Sequence, residues 1–297
     1  MDGITQMDLI QESIDRFEAA ESIEQLVNAG VDVFSINYID TVHKRCWPAF
    51  SKRLVNLQNK PELNVVVFDV SAVHFAAWAK REDEGHIDGV AGALNRIESI
   101  KDNLSHDVVF FAADSLEVTR RASYDGYKCS RDEKEEGFAE SVSRLKGKLG
   151  HVIEAEGWEA DDCMASIAFR AKLRKQACTL VTDDKDLWQT LGHGVTMYSP
   201  RKHEIQSEDW LRAKHSITPK QVVDWLCLVG KDDVPSCKGV AEKTASGLLK
   251  KYSNFLNIVD DAENLTKAKR ESVLAFRDDY WLARELHTLK RNLEFNW

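Results

Sequence analysis

Acidic side chains are crowded at residues 159–162, where Glu159, Asp161 and Asp162 fall within four positions. The small and apolar run that follows is compatible with a helix, so the acids are expected in its first turn. One interpretation is compensation of the helix dipole, which favours acids at an N-terminus. The other is a site for a hard cation, Mg²⁺, Mn²⁺ or Ca²⁺, because crowded carboxylates beside a half-buried helix repel one another.

Further acids follow three short apolar runs that are typical of buried strands. They are Asp69, Asp114, and the pair Asp184 and Asp186. Because helical patterns separate the runs, the sequence predicts an α/β fold with a central, mostly parallel sheet flanked by helices. The carboxyl ends of parallel strands share one edge, so these acids are expected to converge there. Clusters of this kind hold two divalent cations in phosphodiester hydrolysis.

Basic and aromatic residues alternate between Asp114 and the acidic helix start. Basic groups match phosphates and aromatic faces stack on unpaired bases, so the segment is expected to contact nucleic acid. An ordinary solvated, charged loop is the alternative. The residues concerned are Arg120, Arg121, Tyr124, Tyr127, Lys128 and Arg131.

A helix, a tight glycine-containing hairpin and a second helix are predicted after residue 217. Thr218 is expected to cap the first helix, with Pro219 in its first turn. Backbone amides at such a hairpin can hold a phosphate and grip a duplex without reading its sequence. A plain helical hairpin is the alternative. The residues predicted to contact nucleic acid here are Lys238, Gly239, Val240, Ala241, Lys243 and Thr244.

Composition limits the class of protein. The chain has 297 residues, 43% of them hydrophobic, and no apolar run reaches the roughly 20 residues of a membrane span. The N-terminus lacks the pattern of a secretory signal. The six cysteines form no CxxC pair, which favours a reducing compartment and argues against structural zinc. We therefore expect a cytoplasmic monomer without a membrane partner.

Residues 1–60 are predicted to form an acidic, mostly helical extension. The net charge of the chain is −9, but residues 1–35 contain eight acids against Arg16 alone. The remainder is therefore close to neutral, and the mean charge does not exclude a polyanionic substrate. Packing on the core is the default role of the extension. Binding of a partner and covering of a basic surface are the alternatives.

Taken in order, these motifs resemble the 5′-nuclease family, which includes the flap endonucleases and the 5′-3′ exonuclease domain of bacterial DNA polymerase I. The resemblance covers roughly residues 63–260, and the order of six motifs is more specific than any one of them. The motifs are Asp69, Asp114, Tyr127-Lys128-x-x-Arg131, Glu159-Ala160-Asp161-Asp162, Asp184-Lys185-Asp186-Leu187, and Gly239-Val240-Ala241-Glu242-Lys243-Thr244-Ala245.

The resemblance implies a metal-dependent nuclease of DNA replication or repair, in a bacterial or phage setting. Its substrates would be branched, flapped or nicked DNA, cut near the 5′ end with two Mg²⁺ or Mn²⁺ ions. The extension could then contact replication or repair partners, and the hairpin could hold a potassium ion. In an arch over the active site, Arg120, Lys128 and Arg131 would steer the scissile phosphate while Tyr127 stacks on bases. The predicted metal ligands are Asp69, Asp114, Glu159 and Asp161 or Asp162 for the first ion, and Asp184, Asp186 and Asp232 for the second.

We expect three regions in the chain. Residues 1–60 are expected to form the acidic helical extension, which is not a recognised feature of the family, and residues 61–215 a PIN-like catalytic domain. Residues 216–297 are a helix-three-turn-helix region that binds duplex DNA, followed by C-terminal helices.

Two positions depart from the family pattern. Lys231 stands where the family carries an acid, which removes a carboxylate from the second metal site. Asp232 is expected to remain a ligand, with Asp233 as an alternative. Ala241 replaces the second glycine of the hairpin, which weakens the expected phosphate or potassium contact. Lys231 keeps a second hypothesis open, a structure-specific DNA-binding protein with weak or lost catalysis. An RNA-cutting PIN-type nuclease is a third hypothesis, disfavoured by the long duplex-binding region.

Overall fold

The computed structural model describes residues 63–115, 118–130 and 135–295. The predicted extension of residues 1–60 and the predicted phosphate-steering residue Arg131 lie outside this part of the chain. Among the described helices, none combines the length and the apolar composition that crossing a membrane requires.

A sheet of six strands, in the order β3-β2-β1-β4-β5-β6, lies at the centre of the described chain. Every neighbouring pair is parallel except β5 and β6. The strands are β1 Asn64–Asp69, β2 Val108–Ala112, β3 Val152–Ile153, β4 Ala177–Val181, β5 Val195–Ser199 and β6 Glu204–Gln206. The predicted mostly parallel sheet is therefore confirmed. Strands β3 and β6 are too short for their residue pattern to distinguish them from loops.

Helices surround this sheet and continue beyond it to the C-terminus. They are α1 Val70–Trp78, α2 Val90–Asn103, α3 Thr119–Ser123, α4 Phe138–Lys146, α5 Ala160–Leu173, α6 Glu208–His215, α7 Val222–Val229, α8 Glu242–Tyr252, α9 Phe255–Asp260, α10 Lys267–Phe276 and α11 Tyr280–His287, with 3₁₀ segments at Lys185–Thr190, Pro219–Gln221 and Ala262–Asn264.

Strand β1 shows why the sheet is buried on both faces. Val65 and Val67 pack into one hydrophobic cluster, whereas Val66 and Phe68 pack into a second cluster on the opposite face. Successive side chains of a strand point to opposite faces, so a continuous apolar run requires cover on both sides. Burying each of these side chains contributes about 1.5–3 kcal/mol relative to exposure. The central position of β1 fixes the position of Asp69 at its end.

The order of the strands reverses at β1. The chain proceeds from β1 to β2 and β3 on one side, and β4 then pairs with the other side of β1. In open α/β sheets this reversal leaves a crevice at the carboxyl ends of the strands. The crevice is flanked by β1, which ends at Asp69, and by β4, which Asp184 follows.

Helix α5 connects the sheet to the C-terminal helices. Its buried residues include Cys163, Met164 and Ala168, which belong to a cluster that also contains residues of α7, α8 and α11. A helix that is buried around most of its circumference holds its first turn rigidly against both regions. The acids at that turn are therefore placed by the core.

The predicted helical hairpin is present, but its connection is longer than a tight turn. Helix α7 ends at Val229 and is capped by Gly230, whose φ is 84°, and α8 begins at Glu242. Gly230 cannot easily be replaced, because an added Cβ would lie 2.5 Å from the Ser236 hydroxyl. Asp232 and Asp233 also have positive φ, at 57° and 60°. The segment 230–241 therefore leaves α7 by a sharply turned route that determines where Lys231 points.

Candidate active site

Four of the predicted ligands come together at the crevice. Asp69 ends β1, Asp114 follows β2, Asp161 lies in the first turn of α5, and Asp184 caps the 3₁₀ segment after β4. The structure places these acids close enough for Asp114 and Asp184 to raise the pKa of Asp69, and for Asp184 and Asp69 to raise that of Asp161. These acids from separate elements therefore lie within electrostatic range of one another.

Asp69 is fixed by its neighbours. Its Oδ1 accepts a hydrogen bond of 2.9 Å from the backbone N–H of Ala72, so it caps α1, and its Oδ2 lies 3.4 Å from the Thr182 hydroxyl. Burial, and then the charges of Asp114 and Asp184, raise the pKa of Asp69 to about 7, although the Ala72 bond acts in the opposite direction. The carboxylate is therefore well oriented but costly to ionise without a cation.

Asp161 has the least compensated carboxylate of the four. Its Oδ1 is buried and has no hydrogen-bond partner. Burial is the largest cause of its raised pKa, and the charges of Asp184 and Asp69 add to it. Burying an unpartnered carboxylate oxygen is expensive unless a cation compensates it. A cation bound beside Asp161 Oδ1 would therefore give the largest electrostatic stabilisation.

Lys231 lies among the acids that the sequence assigns to the second ion. Its Nζ is 2.5 Å from Asp184 Oδ1, 2.8 Å from Asp186 Oδ1 and 3.9 Å from Asp232 Oδ2. These contacts raise the pKa of Lys231 in spite of burial, and Lys231 in turn lowers that of Asp184 against the effect of burial. The pKa of Asp186 is raised to about 7, because burial and the charge of Asp184 raise it by more than the Lys231 ammonium lowers it.

Asp233, the alternative ligand, points away from this group. Its carboxylate accepts hydrogen bonds from the backbone N–H of Ser130 at 2.8 Å and from the Ser130 hydroxyl at 2.6 Å. The expectation that Asp233 substitutes for a missing ligand does not match this geometry. Its role is instead to tie the segment after α3 to the segment after α7.

Glu159 is paired with side chains rather than left for an ion. Its carboxylate accepts hydrogen bonds from Lys128 Nζ, from the Tyr127 hydroxyl at 2.8 Å and from Arg120 at 2.9 Å. Burial would raise the pKa of Glu159, but Lys128 first, and then Arg120 and Tyr127, lower it. With its oxygens bound to these donors, Glu159 orients Lys128 at the border of the crevice.

Arg120 and Asp162 form a buried ion pair, which departs from both expected roles. Arg120 is 6% exposed and Asp162 is 0% exposed. The guanidinium donates to both Asp162 oxygens, at 2.5 and 2.7 Å, and to the carbonyls of Leu286 and Thr288. Asp162 also accepts from the backbone N–H of Lys290. With every group committed to the interior, Arg120 is not positioned to steer a phosphate and Asp162 is not positioned to hold an ion.

Tyr127 is also in the interior. It is 5% exposed, and its hydroxyl donates to Glu159. Stacking on an unpaired base needs an exposed ring face, so the expected role of Tyr127 does not fit this structure. Tyr124 is half-buried and lies across Gly126, where an added Cβ would meet its ring at 2.6 Å. Arg121 is exposed on α3.

Two family models match the chain. One is described as the 5′-3′ exonuclease N-terminal resolvase-like domain and matches residues 63–223. The other, the 5′-3′ exonuclease C-terminal SAM fold, matches residues 217–297. The chain belongs to the 5′-3′ exonuclease family. This confirms the family predicted from the six motifs and the predicted PIN-like α/β fold with a helical C-terminal region.

Curated relatives of this 5′-3′ exonuclease chain include bacterial DNA polymerases I. The thermostable DNA polymerase I of Thermus aquaticus is 30% identical over 207 residues, which are 68% of this chain and 25% of the relative. A thermostable DNA polymerase I of Thermus thermophilus is 32% identical over 212 residues, with the same two shares. The chain therefore spans about a quarter of the length of these relatives.

Solved structures share the fold of this family member at low identity. A phage T5 5′-exonuclease with bound zinc has a TM-score of 0.64 and 18% identity, with 75% of this chain and 89% of that chain covered. The catalytic core of Rad2 with a DNA substrate has a TM-score of 0.52 and 14% identity, with 80% and 82% covered. Both likenesses show that the two parts of the fold recur together.

The hairpin of this exonuclease-family chain presents most of its predicted residues to solvent. Lys238, Gly239, Ala241 and Lys243 are exposed, Thr244 is half-buried, and Val240 is buried in the core. Gly239 has a φ of 76°, and nothing lies within 4 Å of the Cβ it lacks. A DNA backbone could therefore approach the turn closely. Val240 is 5% exposed and anchors the turn, and its backbone N–H is used in a hydrogen bond of 3.2 Å to the Cys237 carbonyl.

Sequence reasoning missed three parts of the site. Ser71 donates a hydrogen bond of 3.2 Å to Asp114 Oδ2, and Thr182 orients Asp69. Their proximity to the acids in sequence was a usable signal, because hydroxyls near strand ends commonly support carboxylates. The third part is the contact of Lys231 with two acids. The sequence showed only that an acid was absent there.

Proposed function

We propose that this protein is a divalent-metal-dependent 5′-3′ exonuclease and flap endonuclease that hydrolyses phosphodiester bonds near the 5′ ends of branched or nicked DNA. The observation that carries the proposal is the meeting of Asp69, Asp114, Asp161 and Asp184 at the crevice beside β1, with Lys128 at its border. Membership of the 5′-3′ exonuclease family supports the same reaction class.

The carboxylates fit a hard cation, although they do not form a complete ligand set. Among residues 63–115, 118–130 and 135–295, no three aspartate, glutamate, histidine or cysteine side chains are arranged to hold a metal ion by themselves. Mg²⁺ keeps several waters and binds through one or two carboxylates together with substrate phosphates, so a closed protein cage is not required. The unpartnered Oδ1 of Asp161, and the raised pKa values of Asp161 and Asp69, favour a bound cation.

The proposed chemistry divides between a cation and the side chains of the protein. When bound at these acids, a divalent cation would polarise the phosphate and make a water acidic enough to attack at neutral pH. Lys128 is held by Glu159 and adds positive charge at the border of the crevice. Water-excluded positive charge aimed at a phosphate stabilises the charge that develops in the transition state.

DNA binding is proposed for the α7–α8 hairpin. The exposed Lys238 and Lys243 and the open Gly239 can contact phosphates without reading bases. Two solved relatives by fold are complexes with DNA, a Rad2 core with its substrate and a phage T5 flap endonuclease pseudo-enzyme–product complex with metal ions. A monovalent ion such as potassium at the same turn is part of this proposal, as is a role in replication or repair.

Cleavage of a 5′-labelled flap with Mg²⁺ or Mn²⁺ tests the proposal. Asp161→Ala and Asp184→Ala should abolish product while fluorescence anisotropy still shows DNA binding. Asp260→Ala, which changes an exposed acid of α9, should cleave as the wild type does. Full cleavage by both crevice variants would reject the assignment of the site.

A second candidate function is structure-specific DNA binding with weak or lost catalysis. Lys231 favours it, because its ammonium contacts oxygens that would otherwise be available to a second ion. The same flap assay separates the two candidates. Tight binding of the flap by the wild type, without product in either metal, would support the binding protein.

A further inference from the structure

The ammonium of Lys231 lies where a second cation would be needed. The sequence assigns Asp184, Asp186 and Asp232 to a second metal ion, and Lys231 Nζ is within 4 Å of an oxygen of each. It is 2.5 Å from Asp184 Oδ1 and 2.8 Å from Asp186 Oδ1. A metal ion that used these two oxygens would lie within van der Waals contact of the ammonium, which like-charge repulsion forbids.

The backbone around Lys231 is built to keep the side chain there. Gly230 and Asp232 on either side both have positive φ, at 84° and 57°. The Asp232 carbonyl accepts a hydrogen bond of 2.8 Å from the Lys128 N–H, and Asp233 accepts two from Ser130. Positive φ at non-glycine residues costs free energy, so it persists where surrounding contacts hold it. These contacts fix the direction in which the Lys231 side chain extends toward the acids.

Lys231 and the acids around it are also largely buried. Its side chain is 25% exposed, and Asp186 and Asp232 beside it are 10% and 8% exposed. Oxygens of three acids therefore lie around the ammonium. Breaking such a half-buried group of charges leaves acids without compensation, which is strongly destabilising. An occupant of this kind is not easily displaced by a cation from solution.

The ammonium of Lys231 donates a hydrogen bond at one end of the crevice and none to Asp161 Oδ1 at the other. The Oδ1 of Asp161 is buried and has no partner, whereas Asp184 Oδ1 accepts a hydrogen bond from Lys231. The crevice therefore has two distinct ends. One end already holds a cation supplied by the chain, and the other has an oxygen still available to a metal ion.

We propose that Lys231 is a fixed second cation, so that the protein binds a single divalent ion at the Asp161 end of the crevice. Lys231 then supplies beside the substrate phosphate the positive charge that a second ion would otherwise supply. This inference rests on the proposed nuclease function for its meaning in catalysis. The number of ions bound, however, can be measured without DNA.

Counting bound Mn²⁺ on the whole chain tests the proposal. Isothermal titration, together with the electron paramagnetic resonance signal of free Mn²⁺, should give one ion per chain for the wild type. Lys231→Asp removes the ammonium and adds a carboxylate, so it should bind two ions. Lys269→Asp makes the same change of charge at an exposed position of α10 and should bind one. Two ions on the wild type, or one on a folded Lys231→Asp variant, would overturn the proposal.

A folding control keeps the test decisive. Circular dichroism should show a cooperative melt for each variant before its ions are counted. Should Lys231→Asp fail to fold, Lys231→Asn removes the ammonium without adding a charge and should bind a second, weaker ion. A folded Lys231→Asn variant that still binds one ion also contradicts the proposal.

The dependence of flap cleavage on Mn²⁺ concentration gives a second readout. The wild type should follow a single-ion curve with a Hill coefficient of about 1, and Lys231→Asp should become steeper. A steep curve for the wild type argues against a fixed second cation. A wild type that binds one ion and cleaves nothing would reject the proposed nuclease and leave the inference about Lys231 intact. The two failures are therefore distinguishable.

Discussion

Arg120 donates two hydrogen bonds to the carboxylate of Asp162, at 2.5 and 2.7 Å, and both side chains are almost completely buried. The same guanidinium reaches the carbonyls of Leu286 and Thr288 at the end of α11. The pair therefore joins α3, the first turn of α5 and the C-terminal segment. Its position beneath the crevice indicates that it supports the site without touching substrate.

Arg120→Met should lower the free energy of unfolding by about 3–5 kcal/mol, because it leaves the Asp162 carboxylate buried and unpaired. Urea denaturation followed by circular dichroism measures the change. Arg121→Met, on the exposed side of the same helix, should change stability by less than about 0.5 kcal/mol. Equal effects of the two variants would show that the buried pair has no special structural role.

The double variant Arg120→Met with Asp162→Leu should recover part of the loss. Replacing a buried ion pair by apolar residues of similar volume is often neutral, whereas removing one partner is not. Denaturation of the single and double variants completes the cycle. A double variant less stable than Arg120→Met alone would contradict this account.

The meeting of Asp69, Asp114 and Asp184 could be predicted from sequence because it depends on local rules. Each acid follows an apolar run, and the carboxyl ends of parallel strands share an edge. The roles of Arg120 and Asp162 could not be predicted in this way. They depend on carbonyls 166 and 168 positions later in the chain, and no local pattern encodes that distance.

Lys231 shows a second limit of sequence reasoning. The comparison with a family pattern identifies a missing acid, and from this the loss of a ligand is inferred. It does not show where the new side chain goes. The direction of Lys231 follows from the positive φ values at 230 and 232 and from the hydrogen bonds of Ser130, which only the folded structure reveals.

Asp161→Asn should stabilise the metal-free protein at about neutral pH while abolishing metal binding and cleavage. Burial, and then Asp184 and Asp69, raise the pKa of Asp161, so its ionisation costs stability in the native state. We expect a gain of about 1 kcal/mol from removing that charge. Thermal melts with and without Mn²⁺ measure both effects. A variant that is less stable without metal, or that still gains stability from Mn²⁺, would contradict the prediction.

His287 should make stability fall in weak acid. Burial, followed by the charge of Lys231, lowers its pKa from 6.5 to about 4. Between these two pKa values His287 is protonated in the unfolded chain but neutral in the native state. Its contribution to stability is therefore complete above the unfolded pKa and declines as the pH falls toward the folded pKa. The loss from this group is at most about 3 kcal/mol.

His287→Asn should remove this part of the pH dependence. Denaturation midpoints for the wild type and the variant, measured from about pH 4 to about pH 7.5 across both pKa values, give the difference. His193→Asn changes an exposed histidine and should leave the slope unchanged. The assignment fails if both variants show the slope of the wild type.

Lys238 and Lys243 should contribute to DNA affinity through phosphate contacts alone. Both are exposed on the α7–α8 hairpin, where the open turn at Gly239 lets a duplex approach. Each phosphate contact that is lost lowers the slope of log affinity against log salt concentration by about 1, whatever the DNA sequence. Lys238→Ala with Lys243→Ala should therefore weaken binding and reduce the slope by about 2, whereas Lys269→Ala on α10 should do neither. Anisotropy titrations of a flap between about 50 and about 200 mM salt measure the slope.

Cleavage by the double variant Lys238→Ala with Lys243→Ala should stay close to that of the wild type at saturating protein concentration. The reason is that the hairpin would hold the duplex, whereas the crevice would hold the scissile phosphate. A loss of cleavage that saturation does not restore would place these lysines in the chemical step instead.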